Sequence, residues 1–379
     1  MKRLFVLWIL VFSISNLFGQ DEFKKVNFDK KFKAKNQGVA RIEIDEVKEL
    51  IHIMIALTEI GLDNDDMVEQ KGPYYQDVLA AFKQYKSEKI ILVIDSLIKS
   101  NPLQYIFLTG NALSYNFKGN KLVKDRNYLF PAQSVSSHTK ISVNPITTYK
   151  NQIEAFAVKT GFRKFYKRQK PFYKGLIAKY NELANLQEQW NWLEKNFESG
   201  VNNYTIMCSP LINGLNYTTS YESNGFKQIM MVLPPIDRSA EMSDKENEIF
   251  STRIMFTEID HNYVAKPTKA YQKEINIAFS ERARWVDTSK EGTEYYPTPE
   301  RVFDEYMTYA VFYLYCNEKF AADESSILFA YNGVNALMKD RGFPRMKELN
   351  DALLRIRKNN PTKKISELYP ELIEWCKTQ

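Results

Sequence analysis

The chain of 379 residues contains few of the side chains on which many catalytic and metal sites depend: it has three histidines, three cysteines and 14 glycines. Cys208, Cys316 and Cys376 lie far apart and form no CxxC pair, which excludes a cysteine-based metal site of the usual spacing. One disulfide in an oxidising compartment would leave a free thiol, and we expect all three to be small buried side chains. No glycine-rich phosphate loop occurs.

Long apolar runs are confined to the N-terminus, where Lys2 and Arg3 precede the apolar residues 4–12 and Gly19 offers a small residue for cleavage. This pattern is typical of a secretory signal peptide, which we predict over residues 1–19. The alternative, a retained anchor, is disfavoured because a membrane span needs about 20 apolar residues. We therefore expect an exported protein, periplasmic, cell-surface or secreted, with no transmembrane segment in the mature chain.

The balance of charge argues against a nucleic-acid partner. The formal charge is +6, and loss of Lys2 and Arg3 would remove two positive charges. Basic residues alternate with acidic ones, as over residues 83–89, which indicates a solvated surface and not a basic stripe. With 44% apolar and 26% charged residues the composition is that of a globular protein. The 23 tyrosines and 24 phenylalanines favour an aromatic core with half-buried tyrosines over a binding groove.

Periodicity and turn residues predict an α+β fold that is mainly helical, with a small antiparallel sheet. We expect a flexible lead-in over residues 20–38, a mainly helical N-terminal region over 39–199 and a second region over 200–379. The predicted strands cover 39–44, 203–209, 214–221 and 227–233. The predicted helices of the first region cover 46–62, 74–85, 90–99 and most of 149–197, with a break at Pro171.

Two long helices are predicted after the strands. Ser243 and Glu246 form a capping box for the first helix, which we expect to reach about residue 264 because Pro267 cannot continue it. A Thr-Pro pair at residues 298–299 marks the start of the second helix, with threonine as the cap and proline at the first helical position.

The first of these helices carries the sequence Thr-Glu-Ile-Asp-His at residues 257–261. In an HExxH helix two histidines, at positions i and i+4, bind zinc, and the intervening glutamate polarises a zinc-bound water as general base. On this template Glu258 is the catalytic base and His261 the second metal ligand, whereas Thr257 stands where the first histidine belongs. Glu305, on the next helix, is positioned to be the third zinc ligand.

Several segments resemble, in order and spacing, an uncharacterised family of secreted bacterial proteins that are regarded as gluzincin-like zinc metallopeptidases. The resemblance extends over about residues 39–320 and is carried by residues 41–50, 74–78, 172–180, 192–197, 209–217 and 257–264. It implies a zincin-like active helix, preceded by the small sheet and followed by a glutamate helix. It also implies Glu258 as base, His261 and Glu305 as zinc ligands, and a peptide or protein substrate laid along the sheet edge.

Thr257 departs from the family pattern, because a neutral hydroxyl is a poor zinc ligand. Glu258, His261 and Glu305 could instead hold iron, manganese or zinc as two carboxylates and one imidazole, or Asp260 or Asp304 could complete the site. Two functions follow: a divergent exported zinc metallopeptidase, or a catalytically inactive peptidase-like binding protein of the cell envelope. A third hypothesis is a structural or interaction protein of the envelope.

The same residues also have an interpretation without any site. Glu258 and Asp260 would then face solvent, His261 would be a hydrogen-bonded, half-buried side chain, and Glu305 would pair with Arg301 one turn earlier. The other histidines are weaker candidates. His52 lies in an apolar helix stripe and is predicted to be core, and His138 follows a serine-rich stretch predicted to be loop.

Overall fold

The computed structural model describes residues 25–135, 139–198 and 200–379, so the predicted signal segment 1–19 and His138 lie outside the described residues. The chain divides into two compact units. The first comprises Met1–Tyr180 and Val201–Ile236, and the second comprises Asn181–Gly200 and Asp237–Gln379. This division differs from the predicted boundary at residue 200, because the strands that follow residue 200 pair with a strand from the start of the chain.

The first unit contains nine described helices and six described strands. The helices are α1 (Lys30–Asn36), α2 (Glu46–Ala56), α3 (Glu59–Asp63), α4 (Pro73–Phe82), α5 (Lys89–Ser100), α6 (Gln104–Asn111), α7 (Pro145–Thr160), α8 (Phe162–Arg168) and α9 (Lys170–Leu183). The strands are β1 (Val39–Glu43), β2 (Tyr115–Lys118), β3 (Lys121–Lys124), β4 (Asn203–Cys208), β5 (Tyr217–Ser223) and β6 (Phe226–Leu233). The helix predicted over 46–62 divides into α2 and α3, because Thr58 caps the second helix by accepting from Gly61 N.

The main sheet has the strand order β1-β4-β6-β5, and β2 and β3 form a separate antiparallel hairpin. The α+β, mainly helical fold class is confirmed, and so are the four predicted strands. The antiparallel arrangement holds only for β5 and β6, since β4 runs parallel to both β1 and β6. Every residue of β4 is buried, as expected for a central parallel strand that is covered on both faces.

The lead-in predicted to be flexible is ordered over residues 25–38. It contains α1, and the ring of Phe28 is buried and stacks on Phe32 at 4.4 Å between centroids. The same two rings make edge contacts with Tyr128 and Phe226. The packing of these two phenylalanines anchors the described part of the segment.

The described elements of the second unit are all helices, joined by loops. Its helices are α10 (Leu186–Asn196), α11 (Asp244–Ala270), α12 (Gln272–Ala278), α13 (Pro299–Lys319), α14 (Glu324–Asp340), α15 (Met346–Asn359) and α16 (Tyr369–Lys377). The two long predicted helices are α11 and α13, and they pack against each other. The start of α13 is as predicted, with the hydroxyl of Thr298 accepting from Arg301 N.

Helix α11 begins with the predicted capping box at Ser243 but does not end before Pro267. It continues to Ala270, although the proline has no N–H to donate to the preceding turn. The last turn is held from outside, because the hydroxyl of Thr268 donates to Asp304 Oδ1 on α13 at 2.8 Å. Tertiary packing has therefore outweighed the local preference of proline.

Two further features concern the whole described chain. Cys208, Cys316 and Cys376 are buried and free, as predicted for small apolar side chains, and burial raises the pKa of the Cys208 thiol to about 12. In the ranges that the structure describes, every helix is too short or too polar to cross a membrane.

Replacing either of two glycines in the second unit by alanine should change the free energy of unfolding, in opposite directions. Gly342 has a φ of +89°, and a Cβ there would lie 2.6 Å from Thr293 Cγ2 and 2.9 Å from Asp287 O. We expect Gly342→Ala to lower the free energy of unfolding by about 1–3 kcal/mol. Gly333 lies in α14 with open space around it, so Gly333→Ala is expected to raise the free energy by about 0.5–1 kcal/mol. Urea unfolding measures both, and an unchanged midpoint for Gly342→Ala would contradict the first expectation.

Candidate functional site

The hydroxyl of Thr257, at the position of the missing histidine, is bonded within its own helix. Thr257 Oγ1 donates to the carbonyl oxygen of Arg253, one turn earlier on α11, at 3.0 Å. A threonine in mid-helix commonly satisfies its hydroxyl in this way. The side chain is therefore directed to the helix backbone and offers no replacement for an imidazole nitrogen.

Glu305 is buried on α13 and is held by an arginine. Its Oε1 atom lies 2.7 Å from Arg341 Nη2, and the same nitrogen donates to the hydroxyl of Tyr296 at 2.9 Å. The sequence had suggested Arg301, one turn earlier on the same helix, as the partner of Glu305. Burial lowers the pKa of Arg341, but Glu305, Tyr309 and Tyr296 together raise the pKa overall. A metal ion would have to displace this guanidinium to reach Glu305.

His261 is half-buried and hydrogen-bonded, and it faces α13. Its Nδ1 atom lies 3.2 Å from Thr308 Oγ1, and the same hydroxyl donates to the carbonyl oxygen of Asp304 at 3.0 Å. Because threonine has a single hydroxyl hydrogen, this network assigns the imidazole proton to Nδ1. The lone pair of His261 then lies on Nε2.

Asp304 lies one turn before Thr308 on α13, and it was considered at the sequence level only as a substitute ligand. Its Oδ1 atom accepts from Thr268 at 2.8 Å. Burial raises the pKa of Asp304 to about 6, against the lowering effects of His261 and Thr268. Asp304 therefore titrates close to neutral pH, next to the histidine of the motif.

Asp260 is fully buried, which corrects the expectation that it faces solvent. Neither of its carboxyl oxygens has a hydrogen-bond partner among the described residues. Burial raises its pKa well above the ordinary value, and the charges of Asp304, Glu305 and Glu258 raise it further. The uncharged form of Asp260 is therefore favoured in the folded protein.

These side chains do not form a set of metal ligands. In the part of the chain that the structure describes, no group of three histidine, cysteine, aspartate or glutamate side chains is arranged to hold a metal ion. Glu258, His261 and Glu305 all lie in that part. The strands expected to lay a substrate beside the active helix belong to the first unit, whereas α11 belongs to the second.

A second buried polar cluster, on α2, was missed at the sequence level. Lys48, Glu49 and His52 are all buried, and His52 is a core residue as predicted. Lys48 Nζ donates to Thr109 O at 3.0 Å, and Glu49 Oε1 accepts from Tyr74 at 2.8 Å. Burial lowers the pKa of Lys48 to about 7 and raises that of Glu49 to about 7. The sequence of α2 has apolar residues on every side of the helix, a pattern that predicts a helix buried on all sides.

Comparison with other proteins adds no relative. No family profile, no curated protein and no solved structure matches this chain. The resemblance to gluzincin-like peptidases therefore stays a sequence-level hypothesis, and the side chains of α11 and α13 carry the functional argument.

The buried carboxyl group of Asp260 gives a prediction on stability. Because its pKa is raised in the folded state, stability falls as the pH rises above 3.8, the value for an ordinary aspartate, towards the folded-state pKa. Asp260→Asn removes this effect, so we expect the variant to be more stable than the wild type at neutral pH by about 1–3 kcal/mol. The difference should shrink as the pH approaches about 4.

Asp323 is the matched control, because hydrogen bonding to Lys245 lowers its pKa. Asp323→Asn should reduce stability at neutral pH, the opposite sign. Urea unfolding at several pH values compares the two variants. A less stable Asp260→Asn at neutral pH would mean that Asp260 is charged and has a partner, such as a bound cation.

Proposed function

We propose that this chain is a catalytically inactive, peptidase-like binding protein of the cell envelope that takes a peptide or protein partner. The ion pair between Glu305 and Arg341 is the observation that carries the proposal. A catalytic zinc needs three protein ligands. A zinc ion at Glu305 would have to take the place of Arg341, the guanidinium that compensates the charge of this carboxylate.

The side chains at the other two expected ligand positions, residues 257 and 261, support the same proposal. The hydroxyl of Thr257 donates its hydrogen bond to the backbone of α11. His261 alone keeps a nitrogen lone pair, and a single imidazole holds zinc weakly. Glu258, the expected base, would then have no zinc-bound water to polarise. The envelope location rests on the charged and apolar pattern at the N-terminus.

The rival function is a divergent zinc metallopeptidase. It requires Arg341 to leave Glu305 and a further ligand to enter from Asp260 or Asp304. Asp304 is engaged by Thr268, and burial disfavours the charged form of Asp260 that a metal ligand requires. No observation favours these rearrangements, whereas each is open to a direct measurement of metal binding.

The metal content of the purified protein tests the proposal. After dialysis against excess zinc and then against buffer, we expect less than about 0.1 zinc ions per chain, since a three-ligand site would retain its metal. We also expect no cleavage of an unstructured protein substrate such as casein. About one zinc ion per chain, with cleavage that Glu258→Gln abolishes, would instead establish the metallopeptidase.

A repaired motif tests whether α11 and α13 still have zincin geometry. Thr257→His combined with Arg341→Met restores the first histidine and frees Glu305, so we expect the double variant to bind about one zinc ion per chain. Thr257→His alone is the control and should bind far less. Zinc binding by the single variant would show that Arg341 does not block the site. A folded double variant without zinc would remove the support for a peptidase ancestry.

A further inference from the structure

Arg253 is a half-buried cation on α11 without an anionic partner. Its guanidinium has no hydrogen bond or ion pair with any residue that the structure describes, and it lies 5.0 Å from the ring of Phe250. Burial lowers its pKa, and the positive charge of Arg341 lowers it further, although the phenol of Tyr309 opposes both. An arginine that is partly removed from water without a counter-charge is a costly arrangement.

Tyr309 lies on α13, which packs against α11, and it interacts electrostatically with Arg253. It is half-buried on α13, and its hydroxyl has no hydrogen-bond partner within the described ranges. Its ring lies 5.2 Å from the guanidinium carbon of Arg341. Burial is the main reason that the pKa of Tyr309 rises to about 12, so the phenol keeps its proton at neutral pH and can donate.

Arg341 has donors to spare despite its ion pair. Its Nη2 atom serves both Glu305 and Tyr296, whereas Nη1 has only the sulfur of Met338 at 3.6 Å. Glu305 compensates the charge of Arg341. The guanidinium charge of Arg253 is not compensated by an ion pair among the described residues.

We propose that Arg253, Tyr309 and Arg341 form a binding site for a carboxylate. The planar fork of a guanidinium matches the two oxygens of a carboxylate, and such charge-assisted bonds are stronger than neutral ones. An incoming carboxylate would compensate Arg253 and accept from the free hydroxyl of Tyr309. Arg253 and Tyr309 lie on the helix pair that carries the degenerate motif, and Arg341 directly follows α14. The assignment of the site to peptides rests on the proposed binding function.

The neighbouring side chains on α11 define what accompanies the carboxylate. Phe250 and Ile254, three residues before and one after Arg253, are 41% and 36% exposed. A ligand held at Arg253 therefore has apolar surface beside it, which favours a carboxylate that carries an apolar group. The C-terminal residue of a peptide and a free organic acid share this chemistry.

Calorimetric titration of the full chain tests the site. The probes are N-acetyl-L-phenylalanine, its carboxamide, and a pentapeptide that ends in phenylalanine. We expect the free acid to bind and the carboxamide to bind at least about tenfold more weakly, since one charge-assisted contact is lost. Tighter binding of the pentapeptide than of the acetylated residue identifies a peptide C-terminus, and equal binding identifies a free acid.

Variants connect the binding to these side chains. Arg253→Gln should weaken binding of the acid by about tenfold or more, and Tyr309→Phe by about threefold. Arg355→Gln, which changes an exposed arginine on α15, is the matched control and should leave the affinity unchanged. Far-UV circular dichroism confirms that each variant is folded.

Three results would overturn the assignment: no binding of either acid at about 10 mM, equal binding of acid and carboxamide, or full affinity in Arg253→Gln. Competition by sodium sulfate at equal concentration would reduce the site to a general anion site and would also reject it. None of these results depends on zinc. A metal-free protein that binds no carboxylate refutes this inference alone, and a zinc-loaded active protein refutes the proposed function alone.

Discussion

The burial of carboxyl groups between α11 and α13 is the constraint on which the second unit depends. Asp260, Asp304 and Glu305 are brought together by the packing of two long helices, and each is accommodated differently. Glu305 has a guanidinium, Asp304 has a threonine hydroxyl and a pKa of about 6, and burial raises the pKa of Asp260 well above its ordinary value. Water or a metal ion could have served the same purpose, and here the chain supplies its own groups.

Local chemistry was sufficient to predict much of this framework. The cap at Ser243, the Thr-Pro start at residues 298–299 and the alternation of the strands depend on residues a few positions apart. The direction of β4 and the continuation of α11 through Pro267 depend on partners far away in the chain. Such partners leave no periodic signal, so the wholly antiparallel sheet and the end of α11 before Pro267 were predicted wrongly.

The candidate site on α11 and α13 was also predicted only in part from the sequence. The motif at residues 257–261 and the glutamate at 305 were visible in the sequence, because the template has fixed spacing. The partner of Glu305 was not, since Arg341 lies well beyond it and an arginine one turn away offered a simpler explanation. The unpartnered state of Arg253 and Asp260 could not be predicted at all, because a missing contact is defined only by the packing around it.

The pairing of β1 with β4 has a consequence for the way the chain acquires its structure. Val39 lies opposite Asn203, and α10, between them in sequence, belongs to the other unit. The first unit is therefore discontinuous, and its sheet stays incomplete during synthesis until the residues of β6 have been added. A chain that ends at residue 200 would retain β1 but neither β4 nor β6, leaving an unpaired strand prone to association with other chains.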